Sequence, residues 1–408
     1  MDTKNEIAIL GGGPAGMAAA LSLIKAGFSV KIFERYSHAR PAGNILNLWP
    51  PPVHALRCMG VDIDDLGAPC HTTFRSVKGN IRAEVQLPEE ILKEYGGGFI
   101  GLLRPDLYSR MLDAIPPGTI QHDRQVTDIK DHGDFVKLVF SDGTNFTTPL
   151  LIGADGIDSI VRSHLWGASP KRAHNLQIIG GFTFDEEVAT EQNECVLVHS
   201  RTTQGTYTTI RSKGRLGHQW WILQACPDTQ PPPGDLKTFA LEAAGEFSKP
   251  LTELVAATDS VNCQRWLIRD RVPLKVWSKG RITLAGDAAH ATSPYAAYGA
   301  GMSICDGYFL AQCLHGTSLH DTGAVKQALS AYEKHRVAHT TEQVNAAFFL
   351  GKLFHHIPWP LTWIRDLILD NTSLLQRQVG ERNPQEIVAQ LKEMGEGIML
   401  RTSLSDGK

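Results

Sequence analysis

The sequence predicts an α/β protein: a Rossmann-like unit on a parallel sheet, interrupted by a mainly antiparallel β-sheet domain and followed by C-terminal helices. Three observations carry this expectation. The glycine cluster Gly11-Gly12-Gly13-Pro14-Ala15-Gly16 joins a short apolar run, Glu6 to Leu10, to an alanine-rich stretch. Two later apolar runs, Pro149 to Ile152 and Arg281 to Leu284, also stop at glycines, as buried parallel strands do. Between Trp166 and Arg265 the texture becomes β-branched and aromatic, which favours antiparallel strands.

Composition bounds the rest. A chain of 408 residues exceeds one small core and points to two or three domains. With 42% hydrophobic and 20% charged residues it is globular, not disordered. Forty Lys and Arg against 43 Asp and Glu give a net charge of -3, which leaves no basic excess for a nucleic-acid partner. Seven cysteines, none in a C-x-x-C pair, fit reduced thiols in the cytoplasm better than disulfides or a metal site. The apolar stretch Ile7 to Ile24 is broken by glycines and a proline, so no stable membrane insertion is expected.

In chain order, Glu6–Leu10 is expected as a strand, Met17 to Ala26 as a helix ended by Gly27, and Ser29 to Phe33 as a second strand. Gln177 to Phe184, Cys195 to His199, Gly205 to Ile210 and Gly217 to Leu223 read as strands of the inserted sheet. Leu236 to Phe247 and Leu251 to Ala257 read as helices beside it. Ala324 to Phe349 and Pro360 to Leu375 read as further helices before a polar tail.

The motif Gly11-x-Gly13-x-x-Gly16 between strand and helix, with Glu34 ending the next strand, is a dinucleotide fingerprint. The first glycine permits the turn, the second lets the backbone approach a pyrophosphate, and the third lets helix and strand pack closely. The helix end offers free amides, and Glu34 is placed to hold ribose hydroxyls. Gly96-Gly97-Gly98-Phe99-Ile100-Gly101 satisfies the same pattern but follows a charged segment with no strand before it, so it is expected as a loop.

Two more segments separate FAD from NAD. Gly153-Ala154-Asp155-Gly156-Ile157-Asp158-Ser159-Ile160-Val161-Arg162 and Arg281-Ile282-Thr283-Leu284-Ala285-Gly286-Asp287-Ala288-Ala289-His290, with Pro294 and Gly299-Ala300-Gly301, resemble the second and third signatures of the class A flavoprotein aromatic hydroxylases. These include para-hydroxybenzoate hydroxylase, salicylate hydroxylase and 6-hydroxynicotinate 3-monooxygenase. The resemblance spans about Ile7 to Leu314 and implies an FAD-binding domain of glutathione-reductase type. It also implies FAD as cofactor, NADPH or NADH as transient co-substrate, and O2 and an aromatic small molecule as partners.

The resemblance further assigns cofactor contacts. Gly11, Gly13, Ala15, Gly16 and Glu34 belong to the first signature, with Arg35 along the adenosine. Gly43 and Asn44 lie in the loop beside the isoalloxazine, and Arg104 starts a helix next to it. Asp155 and Arg162 serve the pyrophosphate and NAD(P)H access. Gly286 and Asp287 hold the ribityl chain, while Pro294, Gly299, Ala300, Gly301 and Met302 form the helix end at the pyrimidine edge. Tyr295 is the first candidate for a polar contact to substrate, with Pro294 and His290 also near the chemistry. Tyr298, Trp220 and His218 are further candidates for substrate contact. Where many relatives have Gly-Gln-Gly and Glu-Asp, this chain has Tyr298-Gly299-Ala300-Gly301 and Cys305-Asp306, so substrate identity does not transfer.

The implied reaction is reduction of FAD by NAD(P)H, followed by formation of a flavin C4a-hydroperoxide that hydroxylates an electron-rich ring. A reductase or oxidase without oxygen insertion stays open. A non-catalytic FAD-binding protein is disfavoured by the intact Asp287 and Gly299-Ala300-Gly301. The domain boundaries expected are 1–77, 101–165 and 267–314 for the FAD-binding domain, 78–100 and 166–266 for the substrate domain, and 315–408 for the C-terminal helical region. The sequence leaves monomer or dimer open.

Overall fold

A computed structural model of the chain describes residues 6–38, 45–95, 98–185, 187–188, 190, 193–247 and 249–395. Gly43 and Asn44, expected at the flavin, lie outside the described residues.

The fingerprint strand Glu6–Leu10 is central in a five-stranded parallel sheet. Its order is Ile282–Leu284, Leu151–Gly153, Glu6–Leu10, Ser29–Phe33, Ile120–Gln121. The three glycine-terminated runs therefore stand side by side, and all three of their turns open at the same, C-terminal, edge. Every residue of Leu151–Gly153 and Ile282–Leu284 is buried, which explains the unbroken apolar pattern. A small antiparallel sheet, Val126–Asp131, Val136–Phe140 and Asn145–Thr148, packs its apolar face into the same core.

Helix Pro14–Lys25 starts with proline in its first turn, where the absent N–H is no loss, and is alanine-rich along its buried side. It lies close against helix Gly299–Leu314. A Cβ on Gly307 would stand 2.5 Å from the Ala18–Ala19 backbone, so only glycine permits this approach.

The second layer is a larger mixed sheet in the order Gln264–Asp270, Arg172–Thr183, Arg215–Ala225, Thr203–Ser212, Glu194–His199, Ala68–Ser76, Phe99–Leu103, Ile45–Leu48, with Ile81–Glu84 beside Ala68–Ser76. This sheet crosses the expected domain boundaries. Ile45–Leu48, Ala68–Ser76 and Phe99–Leu103, assigned by sequence to the FAD-binding part or to a loop, are hydrogen-bonded into it. The segment before Gly98 is helical (Glu89–Glu94), so the second glycine pattern is no fingerprint, but Phe99–Leu103 is a strand where a loop was expected.

The two faces of this sheet differ. Helices Leu236–Ala244 and Lys249–Ala257 cover its outer face, burying Trp220, Tyr207, Val196 and Ile179. The inner face is roofed by the Pro294–Ala296 turn and by helix Thr322–His355, which runs well past its expected end. Helices Thr362–Asn371 and Arg382–Gly395 follow, the latter in what read as polar tail. Among the described residues no helix is long and apolar enough to cross a membrane.

Candidate active site

At the edge where the turns at Gly11 and Gly153 meet lies a cleft of about 250 Å³ lined by Gly11, Gly12, Gly13, Glu34, Arg35, Tyr36, Tyr108, Arg124, Asp155 and Asp158, among others. Its floor accepts only glycine. Gly11 has φ +103 and a Cβ there would lie 2.4 Å from the Ala154 carbonyl oxygen, while a Cβ on Gly16 would lie 1.9 Å from the Gly11 oxygen. Gly13 faces open space, as a backbone that approaches a phosphate must. The Glu34 carboxylate accepts from the Gly12 amide at 2.7 Å and from the Tyr36 amide at 3.0 Å, which aims it along the cleft. Tyr108 donates to the Gly12 carbonyl at 2.9 Å and holds the turn from the other side.

Asp155 accepts from the Ser159 hydroxyl at 2.5 Å and the Ile160 amide at 2.8 Å, so it closes the turn into helix Ile160–Trp166. Burial raises its pKa, and these bonds oppose the shift. Arg162 is buried and donates to the carbonyls of Ala289 at 2.9 Å, Val272 at 3.0 Å and Ala288 at 3.2 Å. Burial, and then Arg271, bring it down to about 10, so it stays charged at neutral pH. Its position makes it a brace beneath the turn that carries Asp287.

Gly286 has φ +61, and a Cβ there would lie 2.5 Å from the Ala15 Cβ, so the third turn nests against the first. Asp287 next to it is exposed, and half-buried Arg104, the first residue of helix Arg104–Ala114, feels its charge. Behind this turn Asp306 accepts from the Gly286 amide at 2.8 Å, from His290 at 2.6 Å and from Arg336 at 2.8 Å. Arg336 also donates to the Met302 carbonyl at 3.1 Å. The Cys305-Asp306 pair therefore supplies a buried anchor that joins the Gly286 turn, helix Gly299–Leu314 and helix Thr322–His355. His290, expected near the chemistry, serves this anchor and is wholly buried.

Pro294 is exposed at the head of a single 3₁₀ turn whose Ser293 cap accepts from the Tyr295 amide. Tyr295 reaches His355 Nε2 at 2.5 Å, and His355 Nδ1 lies 2.8 Å from the Thr202 carbonyl. A carbonyl oxygen only accepts, so Nδ1 carries the proton and Nε2 accepts from the Tyr295 hydroxyl. Burial brings the His355 pKa down to about 4, so the ring is neutral.

Three expected substrate contacts are corrected by the structure. Trp220 and His218 alternate onto the outer face: Trp220 is fully buried under the helices, donating to Thr258 Oγ1 at 2.8 Å, and His218 lies 2.6 Å from Thr190 Oγ1. Their neighbours Gln219 and Trp221 face inward, because side chains on a strand alternate. Gln219 bonds the Leu46 backbone and donates to Asn47 Oδ1 at 2.8 Å. Tyr298 stacks on Trp49 at 4.3 Å and donates to Gln390 Oε1 at 2.5 Å, which buries it away from any ligand.

With this geometry in place, the comparisons are specific. The FAD binding domain family matches residues 4–347. The chain belongs to that family. It is 29% identical to 3-amino-4-hydroxybenzoate 2-monooxygenase of Streptomyces platensis, over 90% of this chain and 92% of that protein. It is 28% identical to 6-hydroxynicotinate 3-monooxygenase of Pseudomonas fluorescens, over 82% and 88%. In fold it is similar to Klebsiella pneumoniae HpxO complexed with FAD and uric acid, with a TM-score of 0.81 at 22% identity over 97% of both chains. This family member is a class A flavoprotein monooxygenase that uses FAD.

Proposed function

We propose that the enzyme hydroxylates a phenolic, N-heteroaromatic or polyketide-like ring seated between the flavin and the inner face of the large sheet. The observation that carries this reading is the chain Tyr295 to His355 to Thr202. It fixes a polar hydroxyl on the residue after the exposed Pro294, packed against the inner face of the large sheet. The parallel-sheet unit is read as an FAD-binding domain of glutathione-reductase type, with the large sheet as the substrate domain and residues 315–395 as its roof.

FAD fits the cleft by its open Gly13 backbone and the Glu34 carboxylate. Gly11, Gly13, Ala15 and Gly16 flank the pyrophosphate, Glu34 and Arg35 hold the adenosine ribose, and Asp155 and Arg162 shape the pyrophosphate turn. Arg104, Gly286 and Asp287 hold the ribityl chain. The first-turn amides of helix Gly299–Leu314, from Gly299, Ala300, Gly301 and Met302, face the ring edge that becomes anionic on reduction. Bound there, FAD supplies the electron transfer from NADPH or NADH and the activation of O2.

The chain's own residues orient the substrate and exclude water. Alignment of ring and oxidant is worth about 7–11 kcal/mol in well-oriented reactions. A proton-handling group adds about 10²–10⁴-fold. With its own proton committed to His355, its positioning partner, the Tyr295 oxygen is placed to accept from a ring hydroxyl. Seven free cysteines support work in the cytoplasm.

The test is turnover under ¹⁸O₂ with a panel of phenols, anthranilates, hydroxypyridines and polyketides, with H₂O₂ measured alongside. Label in the product is expected. Product formed without label would replace this reading by a reductase or oxidase.

A further inference from the structure

Four side chains on or beside the inner face of the large sheet carry buried polar atoms without a hydrogen-bond partner. These are Ser76 Oγ, both ring nitrogens of His199, Gln204 Oε1 and Arg82 Nη1. Three of them form a row. His199 is the register partner of Ser76 on one side and of Gln204 on the other, so the three project from the same face in neighbouring strands.

The row is held in place. The His199 ring lies 3.8 Å from Phe354 and nearly parallel to it, with Phe74 parallel at 6.4 Å. The Gln204 amide donates to Thr206 Oγ1 at 3.0 Å, which leaves its carbonyl oxygen free to accept. On the same face Phe74, Leu197, Trp221 and Tyr295 are only half-buried although helix Thr322–His355 packs there. Burial, and then the neighbouring His355, Arg82 and Arg365, keep His199 neutral, with one N–H and one bare nitrogen to offer. Native folds leave few buried polar atoms unpaired, so a row of them on one face calls for a partner.

We propose that Ser76, His199 and Gln204 form a polar subsite that takes an uncharged lactam or carboxamide edge of the aromatic substrate. The proposal rests on the reading of this face as the substrate chamber. Gln204 Oε1 only accepts and so requires an N–H or O–H from the ligand, which a carboxylate lacks. His199 and Ser76 supply the donor for the matching carbonyl. The cations nearby are already balanced. Arg82 is bridged to Asp370 at 2.6 Å and Asp366 at 3.7 Å, and Arg365 bonds Asp366 at 2.7 Å and the carbonyls of Phe354 and Ser200. Such a ligand differs from the carboxylates that the names of the hydroxybenzoate and hydroxynicotinate relatives carry.

The FAD-loaded enzyme is titrated with salicylamide, salicylate and phenol, and binding is read from the visible flavin spectrum. Salicylamide is expected to bind at least about fivefold tighter than either of the others, the effect of a net buried hydrogen bond. That advantage should fall below about twofold in His199→Phe, which keeps the stack on Phe354, and in Gln204→Leu, with FAD retained and Tm unchanged or raised. Ser76→Ala, the mildest change, should reduce it by about half. The subsite is overturned if salicylate binds tightest, if the wild type does not discriminate, as when the row holds structural water only, or if the amide advantage survives these variants. Because binding and not turnover is measured, an absence of ¹⁸O in product would remove the proposed hydroxylation and leave this result standing.

Discussion

Arg336 donates to Asp306 at 2.8 Å in an ion pair that neither side chain shares with solvent, directly behind the glycine turn that presents Asp287. Burying two charges is unfavourable unless both are fully bonded. Here the Gly286 amide, His290 and the Met302 carbonyl complete the set. The pair therefore makes the Gly286 turn and the end of helix Gly299–Leu314 rigid relative to each other.

Asp306→Asn removes the counter-charge and leaves Arg336 buried. We expect a loss of about 3–5 kcal/mol of stability. Chemical denaturation of the FAD-free and FAD-loaded protein measures it, and FAD affinity should fall together with stability. A change under 1 kcal/mol, of the kind seen for surface pairs, would show that the pair contributes nothing to the turn.

Glu34→Gln keeps the shape of the cleft but weakens charge-assisted bonds to ribose hydroxyls. FAD should dissociate about tenfold more readily. Gly16→Ala should abolish FAD binding, since its Cβ would lie 1.9 Å from the Gly11 oxygen. Fluorescence titration of the FAD-free protein reads both; unaltered affinity in Gly16→Ala would contradict the close helix–strand contact.

Tyr295→Phe should leave FAD bound while more of the NAD(P)H consumed is released as H₂O₂. His355→Gln, which alters the bonds to Tyr295 and to the Thr202 carbonyl but keeps the Tyr295 hydroxyl, should shift the same ratio less. Peroxide yield against oxygenated product is the readout. Unchanged coupling in both variants would take Tyr295 off the reaction path.

Stability should fall on acidification. His355 titrates at about 4 in the fold, below its ordinary 6.5, and His339 at about 3, in both cases because burial disfavours the charged ring. Between these values and pH 6.5 the unfolded chain binds more protons, so stability is complete above 6.5 and declines as pH drops towards 4. For His355 the full effect is about 3 kcal/mol. Urea midpoints between pH 7.5 and 4.5 test this, and His355→Gln should flatten the decline.

Much of the cofactor end was legible. The glycine turns at Gly11, Gly153 and Gly286 are local chemistry, since each needs a backbone or a close approach that other residues forbid, and local requirements leave a local pattern. The substrate end was not. The strand Arg215–Ala225 is buried on both faces, so its apolar pattern does not say whether Trp220 or Trp221 points inward. His355 and Gln390, which bind Tyr295 and Tyr298, lie 60 and 92 residues further along, and nothing in their immediate sequence marks them.

The sequence by itself determined the three glycine-ended strands, the fingerprint and Glu34, and with them the α/β class and the cofactor, because each arises within a few consecutive residues. Tertiary structure alone decided which face of the large sheet helix Thr322–His355 covers, which strands cross between the layers, and that Asp306, Arg336 and His290 close into one buried group. Those outcomes depend on strand register and helix docking, where a shift of one residue reverses every side chain, and only the packing of distant segments selects between the alternatives.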